Sequence, residues 1–185
     1  PDRPSALRFD DALTLREGDS VLDGHPNPAV GMPFFDAATG SLGQGLSVAA
    51  GLACAAKVDG HDKQRFFCVC GDGESREGQI WEALDFVVDH DLKAVRTIFS
   101  CNGQGQSDYV SGQQSADTLA RKLEAFGLEV RTIDGHNWDE IFSALTAEPG
   151  EKPVAIVAKT VKGWGVNEFQ RSNYHGKPLK AEMVD

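Results

Sequence analysis

Short apolar runs alternate with amphipathic stretches along most of this chain. Runs of strand length lie at residues 66–70, 95–101, 128–133 and 154–159. Helices are predicted at residues 44–58, from small apolar side chains, at 77–90, from helical spacing, at 116–126, which Gly127 ends, and at 138–145. The first run has no polar alternation, so we expect that strand to be covered on both faces. This order predicts an α/β, three-layer fold with a mostly parallel sheet and helices on both faces.

Both ends of the chain lack this regular alternation. Residues 1–33 are rich in Asp, Gly and Pro, with at most a short helical turn near 10–16, and the tail from 164 is polar. We therefore expect one domain over 1–185 with an irregular N-terminal arm (about 1–40) and a polar C-terminal arm (about 164–185). The opening Pro1 suggests a processed, trimmed or partial chain.

Composition narrows the class of protein. The 185 residues carry 28 acidic and 18 basic side chains, a formal net charge of -10, which argues against a general nucleic-acid binder. No apolar run approaches the length of a membrane span, and no signal peptide opens the chain, so we expect a cytoplasmic protein. Cys54, Cys68, Cys70 and Cys101 form no CxxC pair and are predicted to be reduced, mostly buried thiols.

Polar residues follow two of the predicted strands at their carboxyl ends. Gly71-Asp72-Gly73 ends the run at 66–70, and Asn102 ends the next run. With the intervening helix as a crossover, both side chains would lie at the edge where open α/β sheets bind ligands. A carboxylate, an amide oxygen and the carbonyl of Gln104 are hard donors suited to Mg²⁺ or Ca²⁺. Gly-Asp-Gly is also an ordinary turn sequence, but its spacing to Asn102 favours a site for a phosphorylated cofactor and a metal.

Further motifs occur along nearly the whole chain in the order that transketolases use, and the segment from GDG to CNG resembles the thiamine diphosphate motif. The motifs are DGHPNP (23–28), ATGSLGQGL (38–46), GDGESREGQIWEAL (71–84), GQSD (105–108), EAFG (124–127), AKTVKGWG (158–165) and HGKPL (175–179). Related synthases share the metal motif without the HGKPL and ATGSLGQGL pair. The chain therefore resembles the diphosphate-binding domain of a transketolase.

This resemblance implies a set of site residues. The metal ligands would be Asp72, Asn102 and the carbonyl of Gln104. The cofactor would contact Gly40, Ser41, Leu42, Gly71, Gly73, Glu74, Asn102, Lys162 and His175. Two histidines would be catalytic, with His25 reaching toward the donor sugar and His175 near the aminopyrimidine and the substrate entrance. Glu77 and Glu82 would link two active sites across a dimer.

Several of these residues also have a purely structural explanation. His25 lies in a loop between Gly and Pro, where a lone histidine is usually solvated. Glu77 and Glu82 are five residues apart on a helix, about 140° around its axis, and look like solvated charges without a partner chain. Thr39 and Ser41 are alternatively helix caps. The core is predicted to hold the aromatic residues Trp81, Phe126 and Trp138.

The resemblance also implies an activity that this chain would not complete alone. A transketolase transfers a two-carbon ketol unit from a ketose phosphate to an aldose phosphate in the pentose phosphate pathway, using thiamine diphosphate and Mg²⁺ or Ca²⁺. In the family a glutamate on a separate pyrimidine-binding domain activates the cofactor, and neither that domain nor an upstream histidine segment occurs in residues 1–185. We expect a partner domain or subunit in a homo- or hetero-oligomer.

A non-catalytic binding or interaction module is the alternative function. It would keep the fold, and with it the cofactor pocket, without turnover. A decayed site has no physical need for the complete set of polar residues, which favours the transketolase-type transferase. The retained residues are His25, Asp72, Asn102, Lys162 and His175.

Overall fold

The computed structural model describes residues 9–15, 17–20, 22–28, 35–61, 63–170 and 173–177. Its strands are β1 (Phe66–Gly71), β2 (Val95–Cys101), β3 (Glu129–Asp134) and β4 (Val154–Lys159). Its helices are α1 (Phe9–Leu13), α2 (Gln44–Val58), α3 (Gly78–Asp89), α4 (Ala116–Ala125), α5 (Trp138–Thr146) and α6 (Asn167–Gln170). Parts of both predicted arms, including residues 1–8, 29–34 and 178–185, lie outside the described residues.

The four predicted strands and the four predicted longer helices are confirmed, with no end displaced by more than one residue. Apolar spacing and turn residues set these limits, as where Gly127, which follows the C-cap residue Phe126 of α4, takes a positive φ of 98°. The four-residue helix α6 is an addition within the polar C-terminal arm. Among the described helices, none is long and apolar enough to cross a membrane.

The sheet has the strand order β1-β2-β4-β3, and every pair in it is parallel. Gly71 at the end of β1 pairs with Ser100 of β2, while Cys101 pairs with Lys159 at the end of β4. In the same register Asp134 of β3 also pairs with Lys159. The turns that follow all four strands therefore emerge at one edge of the sheet, where the predicted site residues are concentrated. The predicted α/β fold with a parallel sheet is confirmed.

One face of the sheet carries the main core beneath α2, α3 and α4. Small side chains such as Ala49 and Ala53 let α2 lie close to the sheet and to α3, where larger residues such as Leu84 fill the remaining space. Phe99 of β2 lies fully buried in the middle of this cluster. Tight packing here fixes the heights at which the strands end, and so the positions of the turns above them.

The opposite face is covered only in part by the described residues. Helix α5 packs Ala144 against Val154 and Ile156, whereas Phe67 and Val69 of β1 are 53% and 70% exposed. The prediction that the strand at 66–70 is covered on both faces is therefore wrong for this chain. Burial alternates along β1, the edge strand, because no helix among the described residues lies over its outer face.

The aromatic residues divide between the core margin and the surface. The rings of Trp81 and Phe126 lie 4.9 Å apart and pack against the main core, as predicted. Trp138 is 72% exposed, so its assignment to the core is wrong. It is the first residue of α5, and its ring packs toward the exposed Phe142 of the same helix instead of toward the core.

The four cysteines are free thiols. Cys68, Cys70 and Cys101 are buried within the strands and Cys54 is half-buried on α2, which confirms the predicted placement. Burial, reinforced by the nearby charge of Asp72, raises the pKa of Cys101 to about 12. That thiol remains protonated at neutral pH and behaves as a small apolar side chain.

Candidate functional site

Asp72 occupies the turn after β1 and is only 2% exposed. Its Oδ1 accepts the backbone N–H of Gly73 at 2.7 Å, and its Oδ2 accepts the N–H of Gly103 at 2.6 Å. The second bond joins this turn to the loop that follows β2, as the parallel arrangement of the two strands requires. In that loop Oδ1 of Asn102 accepts the N–H of Gln104 at 2.9 Å. The structure thus brings the two turns together.

The oxygen atoms in these two turns suit a hard divalent cation. Each carboxylate oxygen of Asp72 accepts one hydrogen bond and keeps a lone pair for a further ligand. The side-chain oxygen Oε1 of Gln104 is buried and has no hydrogen-bond partner in the described part of the chain. Within the same residues no group of three or more His, Cys, Asp or Glu side chains is arranged to hold a metal ion by itself.

Glu74 connects the turn after β1 to the glycine-rich loop before α2. Its Oε1 accepts the N–H of Gly43 at 2.8 Å, and its Oε2 accepts the N–H of Gly71 at 2.9 Å. The resemblance places Glu74 among the cofactor contacts, whereas in the structure both of its oxygens bind backbone amides. The carboxylate therefore braces two segments that are 31 residues apart in the chain.

The glycine-rich loop also meets His25. A methyl group at Gly40 would lie 2.9 Å from Cγ of the His25 ring, so only a glycine lets the ring lie this close to the loop. Ser41 and Leu42 are exposed on the same loop. Helix α2 starts without a side-chain cap, which removes the alternative of Thr39 or Ser41 as its cap.

Lys162 and His175 form a second polar group above the sheet edge. Nζ of Lys162 lies 3.0 Å from Nδ1 of His175. Partial burial lowers the pKa of Lys162, while the carboxylate of Asp72 acts in the opposite direction. Burial and then the charge of Lys162 lower the pKa of His175. This histidine is therefore neutral at pH 7, and its pair with Lys162 lies within the electrostatic field of Asp72.

Asn173 holds the arm that carries His175, and the sequence patterns did not indicate it. Its Nδ2 donates to the carbonyl of Gly105 at 3.1 Å, and its Oδ1 accepts the N–H of His175 at 2.9 Å. One carboxamide therefore ties the C-terminal arm to the loop after Asn102. A lone asparagine in a polar tail gives no local signal for such a contact.

Glu77 and Glu82 both lie on the exposed surface at the start of α3. The side chain of Glu77 is next to the glycine-rich loop, because a methyl group at Gly43 would lie 3.2 Å from its Cβ. In the single chain both carboxylates face solvent. Their contact with a partner chain stays a prediction.

Replacing Lys162 with methionine is expected to raise the pKa of His175, because one of the two causes that lower it is removed. The folded wild-type chain favours a neutral His175. The free energy of unfolding therefore falls as the pH drops below about 6.5 and passes through the pKa that His175 has in the folded chain. The substitution should reduce that loss. An NMR titration of the His175 ring measures the change, with Lys152→Met in an exposed loop as the control. An unchanged His175 titration would contradict the pairing.

Known proteins resemble this chain over nearly all of its length. The family profile described as the transketolase thiamine diphosphate binding domain matches residues 5–185. Transketolase-like protein 2 of Bos taurus is 42% identical over 178 residues, and transketolase of Rattus norvegicus is 41% identical over 174 residues. The crystal structure of transketolase from Campylobacter jejuni superposes with a TM-score of 0.77 at 34% identity and covers 88% of this chain.

The matched relatives are much longer than the matched region. The alignments cover 95% of this chain but 28% of the bovine protein, and 94% of this chain but 27% of the rat protein. The Campylobacter jejuni structure is likewise matched over 26% of its length. The chain thus spans about a quarter of these relatives, in the region that binds thiamine diphosphate. It belongs to the transketolase family, within the thiamine diphosphate binding domain.

Proposed function

We propose that this chain forms the diphosphate- and metal-binding half of a transketolase active site. The complete site would transfer a two-carbon ketol unit from a ketose phosphate to an aldose phosphate. One observation carries the proposal: the carboxylate of Asp72 accepts the N–H of Gly103 and so joins its turn to the loop of Asn102. The charge of the same carboxylate also acts on the pKa of Lys162. When bound, thiamine diphosphate supplies the electron sink that cleavage of a carbon–carbon bond next to a carbonyl requires.

The chain's own residues would hold the phosphorylated end of the cofactor. Asp72, Asn102 and the carbonyl of Gln104 would bind Mg²⁺ or Ca²⁺, which offsets the repulsion between a diphosphate and a chain of net charge -10. Gly73 and the loop at 40–42 would line the diphosphate and the thiazolium ring. Since Glu74 already binds two backbone amides, its part would be to keep these segments in register.

The histidines would act on protons at the substrate side. The ammonium of Lys162 can only donate, so Nδ1 of His175 accepts from it and the neutral ring carries its hydrogen on Nε2. His175 would thus present an N–H donor to a substrate hydroxyl or a developing oxyanion. His25, held against Gly40, would approach the donor sugar from the glycine-rich loop.

A pyrimidine-binding domain, on this polypeptide or on another, would supply the activating glutamate. Glu77 and Glu82, both exposed, would face that partner. The proposal treats residues 1–185 as a single diphosphate-binding domain with two arms that is inactive alone. It also includes a dimer or larger assembly, a cytoplasmic location and a role in the pentose phosphate pathway.

Calorimetry with thiamine diphosphate and Mg²⁺ tests the divided site. The chain alone is expected to bind weakly or not at all, because it contributes only one side of the cofactor's surroundings. Addition of a pyrimidine-binding domain should restore binding, and with it ketol transfer between a ketose phosphate and an aldose phosphate. Turnover by residues 1–185 alone would refute the divided site.

The matched control is a pyrimidine-binding domain whose activating glutamate is replaced by glutamine. It should restore binding without transfer, which separates cofactor retention from activation. Binding without transfer in the presence of the intact domain would instead identify a non-catalytic module. Failure to bind with that domain present would reject the assignment of the diphosphate site.

A further inference from the structure

His136 follows β3 and contacts the loop that carries Lys162 at two points. Its Nε2 accepts the backbone N–H of Val161 at 2.8 Å. Its ring also stacks on that of Trp164, with centroids 4.2 Å apart and planes 14° from parallel. The two contacted residues lie on either side of Lys162 in the sequence. A single imidazole thus contacts the turn on both sides of Lys162.

Burial holds the two contacted residues only weakly, since Val161 is 41% exposed and Trp164 is 63% exposed, whereas Gly163 between them packs against Phe169. Specific contacts of Val161 and Trp164 therefore contribute to the position of the turn. Within the turn the N–H of Trp164 donates to the carbonyl of Val161 at 3.2 Å. This bond shapes the turn but does not connect it to the sheet edge. His136 connects Val161 and Trp164 of this turn to the turn after β3.

The turn that bears His136 is itself held firmly. The N–H of His136 donates to Oδ1 of Asp134 at 2.9 Å, and the N–H of Gly135 donates to the carbonyl of Lys159 at 2.8 Å. A methyl group at Gly135 would lie only 2.4 Å from Cγ2 of Thr160, so the turns after β3 and β4 are in direct contact. His136 therefore projects from a fixed base.

We infer that His136 is a positioning residue for Lys162. Its unprotonated Nε2 and its ring face set the path of residues 161–164, and through them the site where Nζ of Lys162 meets Nδ1 of His175. The catalytic consequence rests on the proposed transketolase function, but the geometric consequence does not. The contacts of His136 described above are with the turns after β3 and β4, so its effect on the pair of Lys162 and His175 is transmitted through the loop.

Two substitutions separate the acceptor from the ring face. His136→Gln keeps an oxygen acceptor near the place of Nε2, whereas His136→Phe keeps an aromatic face and loses the acceptor. We expect the phenylalanine variant to shift the Val161 amide resonance and to raise the pKa of His175, because Lys162 moves away from it. In the protein completed by a pyrimidine-binding domain, kcat/KM should fall by about ten- to a hundredfold. The glutamine variant keeps the acceptor and lacks only the ring face stacked on Trp164, so its losses should be smaller, with kcat/KM within a few-fold of wild type.

His90 provides the matched control. It too is both stacked, on Phe86, and hydrogen-bonded, to the carbonyl of the same residue, but it lies at the end of α3. His90→Phe should leave the Val161 resonance, the pKa of His175 and kcat/KM unchanged. His136→Asn, which is polar but too short to reach Val161, should reproduce the losses and serves if the phenylalanine variant does not fold.

The inference is overturned if His136→Phe and His136→Asn, which lack the acceptor, keep both the wild-type Val161 resonance and the wild-type pKa of His175. Equal losses in the glutamine and phenylalanine variants overturn the role of Nε2. Absence of ketol transfer by the completed wild-type protein would refute the proposed function. The two NMR measurements would still decide the role of His136 in that case.

Discussion

Asp72→Ala is expected to abolish metal-dependent binding of thiamine diphosphate. The substitution removes a direct ligand of the proposed cation. Because loss of groups that only orient metal ligands already costs about 10–100-fold in affinity, we expect a loss of at least about 100-fold. It also leaves the N–H groups of Gly73 and Gly103 without their acceptor, at about 1–3 kcal/mol each if water cannot reach them. The fold should therefore be weakened as well.

Asp72→Asn distinguishes the two effects. Its shape is nearly unchanged and one oxygen still accepts an N–H, so unfolding should be affected less than by alanine. Its charge is absent, so Mg²⁺ titrations at a fixed cofactor concentration, with the pyrimidine-binding domain present, should still show a large loss. Asp89→Asn, on the exposed end of α3, is the control for removal of one negative charge. Wild-type Mg²⁺ affinity in either Asp72 variant would exclude this carboxylate as a metal ligand.

Most of the fold could be predicted because its signals are local. Each strand is a short apolar run bounded by turn residues, and the long helices are marked by apolar spacing, small apolar side chains or a closing glycine. Coverage of β1 could not be predicted, since an apolar run has the same composition at the edge of a sheet as at its centre. Whether a helix lies over Phe67 and Val69 depends on elements elsewhere in the chain. The exposure of Trp138 could not be predicted for the same reason. Its spacing on α5 fits an apolar face, but whether the sheet extends beneath the first residue of that helix depends on elements elsewhere in the chain.

The candidate site divides in a similar way. Asp72 and Asn102 were indicated because each directly follows an apolar run, and parallel pairing brings such positions together. The resemblance to transketolases added Lys162 and His175, which their surroundings in the sequence do not mark. His136 and Asn173 were missed since their contacts join residues 25 and 68 positions apart. Such contacts between turns follow from the three-dimensional register and leave no periodic pattern in the sequence.

Glu74→Ala is expected to lower the free energy of unfolding by about 2–4 kcal/mol, because two hydrogen bonds to a charged group disappear together. The glycine-rich loop and the turn after β1 would then separate, so cofactor affinity should fall as well. Glu74→Gln should lose nearly as much stability, since its amide can accept only one N–H and turns a second donor toward the other. Glu124→Ala, exposed on α4, should stay within about 0.5 kcal/mol of wild type.

Denaturant unfolding of these variants measures the loss, and hydrogen exchange at the amides of Gly43 and Gly71 locates it. Both amides should exchange faster in Glu74→Ala, whereas in Glu74→Gln only the one that faces the new amide group should. A wild-type free energy of unfolding in Glu74→Ala would contradict the brace. Faster exchange at Gly71 alone would show that the link to Gly43 contributes nothing, and the glycine-rich loop would then have to be held by its packing against α3.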